Sequence, residues 1–352
     1  MNLAVVFGTP SVEHLGSCVS GTRVADILSQ QYRVKRILIG MDGEWQTTQQ
    51  RFSYADQAAT RKFYDFAQTI GRPQWGRVNL AQISRLLSDV DVVLPLTHGP
   101  YGESGLIQGF LETLGIPYVG PGVEACVLTQ HKDLIKSLAK DETIPVSPFV
   151  SFSQIEWQSD PSVLLTEINQ NLDFPMFVKP NDGGSSIGIS KVTPNNRLEA
   201  AIDKAFTFSQ RVIVEQGVDG YEIECSVIGN DEIIVADTLG EVIPSNEFYD
   251  VAAKYVEPSE IAIPARNIDR GTAKQVKDLA RKIYRLARAC GFCRIDFLVD
   301  KRDKTPYLNE VTAIPGCTEY SLFPRLFVQS GWQEVKLWEK IVNLAWERFK
   351  KE

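Results

Sequence analysis

Lys179 closes an apolar run, and the eleven residues after it, PNDGGSSIGIS (180–190), hold three glycines and three serines. Glycine lets backbone amides come close to an anion, and successive N–H groups form a concavity that binds phosphate. The loop lacks the spacing of a P-loop, and no clear helix pattern follows it. It is too short, and too closely set between strand patterns, to serve as a linker. It reads as a lid over a polyphosphate.

A second place where chemistry can collect is FCRIDFLVDKRDKTPYLNEVTAIPG (292–316), two apolar runs around a polar turn. Such a pattern is a β-hairpin. With the turn near Asp303, Asp296 lies across from Glu310. Alternation then puts Ile295, Phe297, Tyr307 and Val311 on one face and Arg294, Asp296, Glu310 and Thr312 on the other. Like charges directly opposite destabilise a ladder. Either the pair holds a cation, for which oxygen ligands suit Mg²⁺ bound mainly through substrate phosphates, or it is a solvated pair compensated by Arg294. The hairpin alone supports both equally.

Other charged residues sit at the ends of strand patterns. Glu215 and Glu222, in VIVEQGVDGYEIECSV, are ordinary surface acids or, beside a phosphate loop, groups for the adenine amine and ribose hydroxyls of a nucleotide. THGPYGESG places His98 and Glu103 in a Gly-rich loop at the carboxyl end of a strand, where open α/β sheets bind ligands. FGTPSVEHLGS repeats this after the first strand, with Glu13 and Ser17 ahead of a helix.

The elements that must hold these loops follow from pattern. LAVVFG, YRVKRILIG and DVVLPLTHG are buried strands alternating with the helices SGTRVADILSQQ, NLAQISRLLSDV and GLIQGFLETLG. That alternation predicts a doubly wound parallel sheet. GVEACVLTQHKDLIKSLAKDE is predicted as one helix. Short strands follow (FPMFVKP, RVIVEQ, EIECSVIG, EIIVADTLG), then a charged loop (243–266), a long helix from Gly271, the hairpin and a terminal helix.

Bulk properties narrow the class. The 352 residues suffice for two or three domains, and 43% hydrophobic with 23% charged residues is a globular composition. A net charge of −7 argues against a nucleic-acid surface. No stretch reaches the ~18–20 apolar residues of a membrane span, and MNLAVVFGTP reads as a first strand rather than a signal peptide. Six scattered cysteines do not make a disulfide framework, which points to a reducing cytoplasm. CGFC (290–293) has neither a second pair nor a histidine beside it and is read as core packing.

Taken in order, THGPYGESGLIQG, IPYVGPGVEA, HKDLIK, FVKPNDGGSSIGISKV, GYEIECSVIGN, EFYDVAAKY, CRIDFLVD and LNEV with its trailing PG resemble the D-alanine–D-alanine ligase family of the ATP-grasp superfamily over nearly the whole chain. The resemblance implies an α/β (α+β ATP-grasp) protein. Its domains would be a Rossmann-like domain at 1–122, a lid domain at 123–225, and a C-terminal domain at 226–352 with the metal and substrate sites. It implies ligation of two D-alanines through an acylphosphate for peptidoglycan. The alternatives are a relative with a different second substrate, or a catalytically weakened nucleotide-binding homologue. Cofactors would be ATP and two Mg²⁺ or Mn²⁺ ions, with D-amino acids as substrates, neither nucleic acid nor membrane as partner, and a cytoplasmic homodimer.

Carried over by position, Lys132, Lys179 and Lys254 would contact phosphates, Ser185 and Ser186 would belong to the mobile loop, and Glu215 and Glu222 would hold the nucleoside. Asp296, Glu310 and, less securely, Thr312 would carry metal. Arg294 and the Gly316 amide would stabilise the oxyanion. Glu13, with Ser185 and Tyr255, would bind the first ammonium, His98 would lie near it, and Ser321 would hold the second carboxylate. Thr312 stands where the family usually has Asn, Ser104 replaces the usual Asp, and EHLGS and GCTEYS are atypical. These departures bear on the second metal and the second substrate.

Overall fold

The computed structural model describes residues 1–54, 79–195, 197–243 and 259–351. Lys254, Tyr255 and most of the charged 243–266 loop lie outside them. The first sheet comprises β1 (Asn2–Gly8), β2 (Arg33–Ile39), β3 (Trp45–Thr47) and β4 (Val92–Pro95), in the order β3-β2-β1-β4. β1 runs parallel to β2 and β4, and β3 adds an antiparallel edge. The apolar run of β1 is buried on both faces, as a central parallel strand must be. α1 (His14–Leu28), α2 (Leu80–Leu87), α3 (Pro100–Glu103) and α4 (Leu106–Thr113) complete this layer.

The single helix expected from Gly122 onward is two, α5 (Val123–Gln130) and α6 (Lys132–Asp141). His131 between them is extended, with φ −91° and ψ 102°. Local hydrogen bonds hold the break: Asn181 accepts from Asp133 N at 3.0 Å through its side chain and from Lys132 N at 3.0 Å through its carbonyl. The start of α6 is thereby fastened to the loop after Lys179.

The second sheet is antiparallel, in the order β5-β8-β6-β7, from β5 (Phe149–Ser153), β6 (Met176–Pro180), β7 (Ser190–Val192) and β8 (Arg211–Gln216). α7 (Gln154–Ser159), α8 (Pro161–Asn171) and α9 (Leu198–Phe206) cover it. Among the described residues its core, with Phe152, Trp157 and Phe206 in ring contact, draws only on residues of this layer. The third sheet contains β9 (Gly220–Gly229), β10 (Ile233–Val235), β11 (Gly240–Ile243), β12 (Glu260–Ala262), β13 (Gly291–Asp300) and β14 (Pro306–Thr312). Its order is β12-β11-β9-β13-β14, with β10 on β9. α10 (Arg270–Leu286), α11 (Leu322–Gln329) and α12 (Glu334–Lys351) accompany it.

The boundary expected at 225/226 falls inside β9, which pairs along its whole length with β13. α5 and α6, expected with the lid, pack against β14, and Ile135 and Ala139 enter the core beneath the third sheet. The strand expected over EIIVADTLG divides into β10 and β11.

One continuous core joins the first and third sheets: Phe7 and Leu94 share it with Ile228, Phe292, Phe323 and Trp338. Backbones meet there closely. Gly291 has φ +72°, and a Cβ on it would lie 2.7 Å from Gly120 N. A side chain at that position meets both backbone strain and a clash with main chain that cannot rotate away. Gly291→Ala should therefore lower stability by about 1–3 kcal/mol, read as an earlier urea midpoint with an unchanged slope. An unchanged midpoint would mean that the two backbones separate freely.

Candidate active site

The hairpin has the expected pairing at its chemical end: Asp296 opposes Glu310, and Arg294 opposes Thr312. Beyond that the register shifts, Phe297 pairing with Leu308 and Leu298 with Tyr307. Asn309 is the extra residue of a β-bulge, a device that re-aims side chains beside sites. Leu308 (1% exposed) therefore takes the apolar place expected of Tyr307, which is only half-buried. The freed Asn309 side chain accepts from Lys179 Nζ at 3.4 Å.

Each acid here already faces an organic cation. Arg294 grips Asp296 with both arms, at 2.8 and 2.7 Å, and lies 2.9 Å from Glu224. Burial works against the guanidinium charge, but Asp296 and then Glu224 outweigh it and hold Arg294 well above its ordinary pKa. Glu310 lies 3.6 Å from Lys132 Nζ. Compensation by Arg294, left open from the sequence, is thus real, although Asp296 is buried rather than solvated.

Glu215 is buried at 3% exposure, its Oε2 3.0 Å from both Lys136 and Lys179. Burial alone would raise its pKa, but the ammoniums of Lys136 and Lys179 bring it down to about 2. Burial lowers Lys136 to about 8 against the pull of Glu215, so both groups carry charge at neutral pH. Lys136 also donates to Leu308 O at 3.2 Å, tying the pair to the bulged strand.

The glycine-rich loop closes over these groups. Lys132 Nζ donates to Gly183 O at 2.6 Å, and Ser185 and Ser186 adopt left-handed φ values of 52° and 58°. Ser185 Oγ donates to Glu13 Oε1 at 2.5 Å, and a Cβ on Gly184 would lie 2.8 Å from Glu13 Oε2. The loop therefore lies directly on the Glu13 carboxylate. Between loop and hairpin is a cavity of about 360 Å³ lined by Lys132, Lys179, Ser186, Glu215, Glu222 and Glu310 among others.

Other expected residues gather at a neighbouring corner. Ser17 accepts from Gly8 N at 2.8 Å and donates to Leu96 O at 2.6 Å, which makes it a tie between strand ends. Glu103 accepts from Gly99 N at 2.7 Å, and burial and then the Glu13 charge push it up to about 8. Ser321 stands at the N-cap position of α11, but its hydroxyl bonds Thr318 rather than the helix, and it lies close enough to Gly316 that a Cβ there would come within 2.8 Å of its Oγ. Thr312 is half-buried on the hairpin. Both cysteines of CGFC are free, Cys293 fully buried and Cys290 partly, as core packing requires.

Sequence reasoning missed Lys136, Glu224 and Asn309. Helical spacing from Lys132 gives Lys136 away, and strand alternation from Glu222 gives Glu224. No local signal announces the bulge at Asn309.

Comparison with known proteins adds the following. Residues 2–121 match the family described as D-ala D-ala ligase N-terminus, and residues 138–343 match D-ala D-ala ligase C-terminus. A D-alanine–D-alanine ligase of Caldicellulosiruptor bescii is 37% identical over 350 residues, spanning 99% of this chain and 96% of that protein. One from Enterococcus faecalis is 35% identical, over 99% of this chain and all of the other. Among solved structures, the VanG D-Ala:D-Ser ligase of E. faecalis superposes with a TM-score of 0.78 at 30% identity, over 98% of this chain and 99% of that one.

The Glu215 cluster carries a stability prediction. Its folded pKa is depressed from the ordinary 4.5 to about 2. Its contribution is therefore present above the unfolded value and lost as pH falls through the folded one. Glu215→Gln should destabilise the protein by roughly 3–5 kcal/mol at neutral pH. The gap to the parent, from urea titrations at stepped pH, should narrow as pH drops from 4.5 toward 2. A gap independent of pH would show that Glu215 is not held as a charged partner.

Proposed function

The chain belongs to the D-alanine–D-alanine ligase family, and on that premise we propose that it joins two D-alanines at the expense of ATP to give the dipeptide used in peptidoglycan. The observation that carries this reading is one cavity with a lysine-bearing glycine loop on one wall and the Asp296/Glu310 hairpin on the other. Lys132 and Lys179 lie where a triphosphate entering under the loop would meet them. Glu215 and Glu222 line the same cavity and would take the nucleoside.

The first D-alanine's carboxylate takes the γ-phosphoryl group. The second substrate's amine then attacks the acylphosphate, loses a proton, and phosphate leaves. Glu13 would hold the first ammonium, with Ser185 keeping the loop shut over it, and Ser321 would receive the second carboxylate. Arg294, fully charged and pinned between Asp296 and Glu224, is a preorganised donor for the developing oxyanion, the kind of group that commonly dominates acyl transfer. Tyr255 and Lys254 keep the roles implied by the family pattern.

Divalent metal fits the hairpin by its donor chemistry. Asp296 and Glu310 share one face, the neighbouring Glu224 is taken by Arg294, and among the described residues no group of three His, Cys, Asp or Glu side chains could hold a metal by itself, which suits a hard cation that takes its remaining oxygens from phosphates. Glu310 is open to the cavity, whereas Asp296 would share its oxygens with Arg294. Such an ion, magnesium or manganese, neutralises phosphate charge and orients the phosphoryl group. Among the described residues no helix is long and apolar enough to cross a membrane. The cytoplasmic homodimer implied by the family pattern completes this reading.

Phosphate release with ATP and each D-amino acid in turn tests it: D-alanine should give the fastest turnover, with D-serine well behind. Turnover that ignores D-alanine would overturn the assignment.

Thr312 offers a neutral hydroxyl where the family usually supplies an amide, and carboxylates dominate binding of a hard cation. Thr312→Asn should lower the Mg²⁺ concentration for half-maximal rate severalfold, while Glu310→Gln should abolish turnover. If Thr312→Asn left the Mg²⁺ requirement unchanged or raised it, the hydroxyl would not be a weakened ligand.

A further inference from the structure

The turn Ile314–Cys317 belongs to the C-terminal domain, yet side chains of the N-terminal domain hold it. Glu103 Oε1 accepts from Ile314 N at 3.4 Å, and Arg23 donates to Cys317 O at 3.3 Å while pairing with Glu334. His98 Nδ1 lies 3.0 Å from Ile314 O, His98 Nε2 lies 3.3 Å from Ser20 Oγ, and Ser20 Oγ accepts from Cys317 N at 3.1 Å. His98, Ser20, Ile314 and Cys317 are all buried, Ser20 and Cys317 completely.

The ring's protonation follows from its neighbours. Burial brings His98 down to about 4, so the ring is neutral at physiological pH. A carbonyl oxygen only accepts, so the ring's one proton lies on Nδ1, toward Ile314. Nε2 then carries a lone pair, and Ser20 must donate its hydroxyl proton to it. The remaining lone pairs of Ser20 face the Cys317 amide. Each donor has one acceptor, and the direction of every bond is fixed. The backbone carbonyl of His98 is anchored as well, by Thr9 Oγ1 at 3.0 Å and Ser11 Oγ at 3.3 Å.

We propose that Ser20 and His98 are positioning residues, a clamp from the N-terminal domain that sets the Ile314–Cys317 turn and through it the Gly316 amide. Both ring nitrogens of His98 are engaged, so the residue acts on the turn rather than on the substrate. Ile314 N and Cys317 N are occupied, and Pro315 has no N–H. Gly316 N–H is the turn's remaining donor and has no hydrogen-bond partner among the described residues. The clamp thus leaves one amide for the oxyanion. That role of Gly316 rests on the ligase reading above, whereas the clamp itself does not. Glu13 stands at the N-cap of α1 and Ser20 lies two turns along the same helix. One helix therefore places both the first-substrate carboxylate and the turn across the cleft.

Two measurements test this. The chain has three histidines, so long-range ¹H–¹⁵N spectra of the whole protein, with His98→Gln to assign the signal, report the ring directly. The expected result is the neutral Nδ1–H form, which is the minor one for free histidine. The Nε2–H form or an imidazolium at neutral pH would overturn the clamp. In the second, Ser20→Ala should lower kcat ten- to a hundredfold, as misplacement of a reacting group does, with the KM for ATP within twofold of the parent. A kcat within twofold of the parent would also overturn it, as would a loss confined to the KM for ATP. If Ser20→Ala does not fold, the spectrum of the parent still decides. Failure of the parent to release phosphate with D-alanine would remove the ligase reading and leave the ring test intact.

Discussion

Negative charge shut away from water has to be met by positive charge, and the cleft is organised around that constraint. A lone buried carboxylate is far too costly to persist ionised, so the acids of the hairpin and of β8 are each set beside a base. Arg294 serves Asp296 and Glu224, Lys132 approaches Glu310, and Lys136 with Lys179 enclose Glu215. These partners come from different elements: α6, β6, β8 and the third sheet. Satisfying the charges therefore also fixes how those elements meet.

The same compensation holds the cavity's lysines in place: Lys132 on Gly183 O and near Glu310, Lys179 on Glu215 and Asn309. In the proposed reading little reorganisation would be left for binding, which is how preorganised polar sites gain their effect. The glycine-rich loop fits this picture. Its start is tied to α6 through Asn181, and its tip rests on Glu13 through Ser185. It bridges the first and third layers rather than lying on the lid sheet alone.

The continuous core between the first and third sheets gives these contacts a rigid base. Phe292, Phe323 and Trp338 meet one another in tilted and edge-on contacts with ring centroids 5.3 to 6.4 Å apart. The lid sheet, by contrast, has a core of its own.

Much was legible in the sequence alone. Period-two and helical patterning located most strands and helices, because burial of one face imposes them locally. The Asp296–Glu310 pairing followed from the length of a polar turn, and residue type singled out the glycine-serine loop that borders the same cavity. Tertiary structure decided the rest. The break at His131 depends on Asn181, fifty residues away, and the bulge at Asn309 depends on how β14 seats against Lys136 and Lys179. The start of the second sheet's unit could not be read from pattern, because α6 finds its apolar partners, through Ile135 and Ala139, beside Leu308 and Val311 of β14. His98 could be placed near the site from its loop, but its proton could not. That depends on Ile314 and Ser20, brought together only by the fold, since a hydrogen bond's direction is a property of the pair and not of the residue.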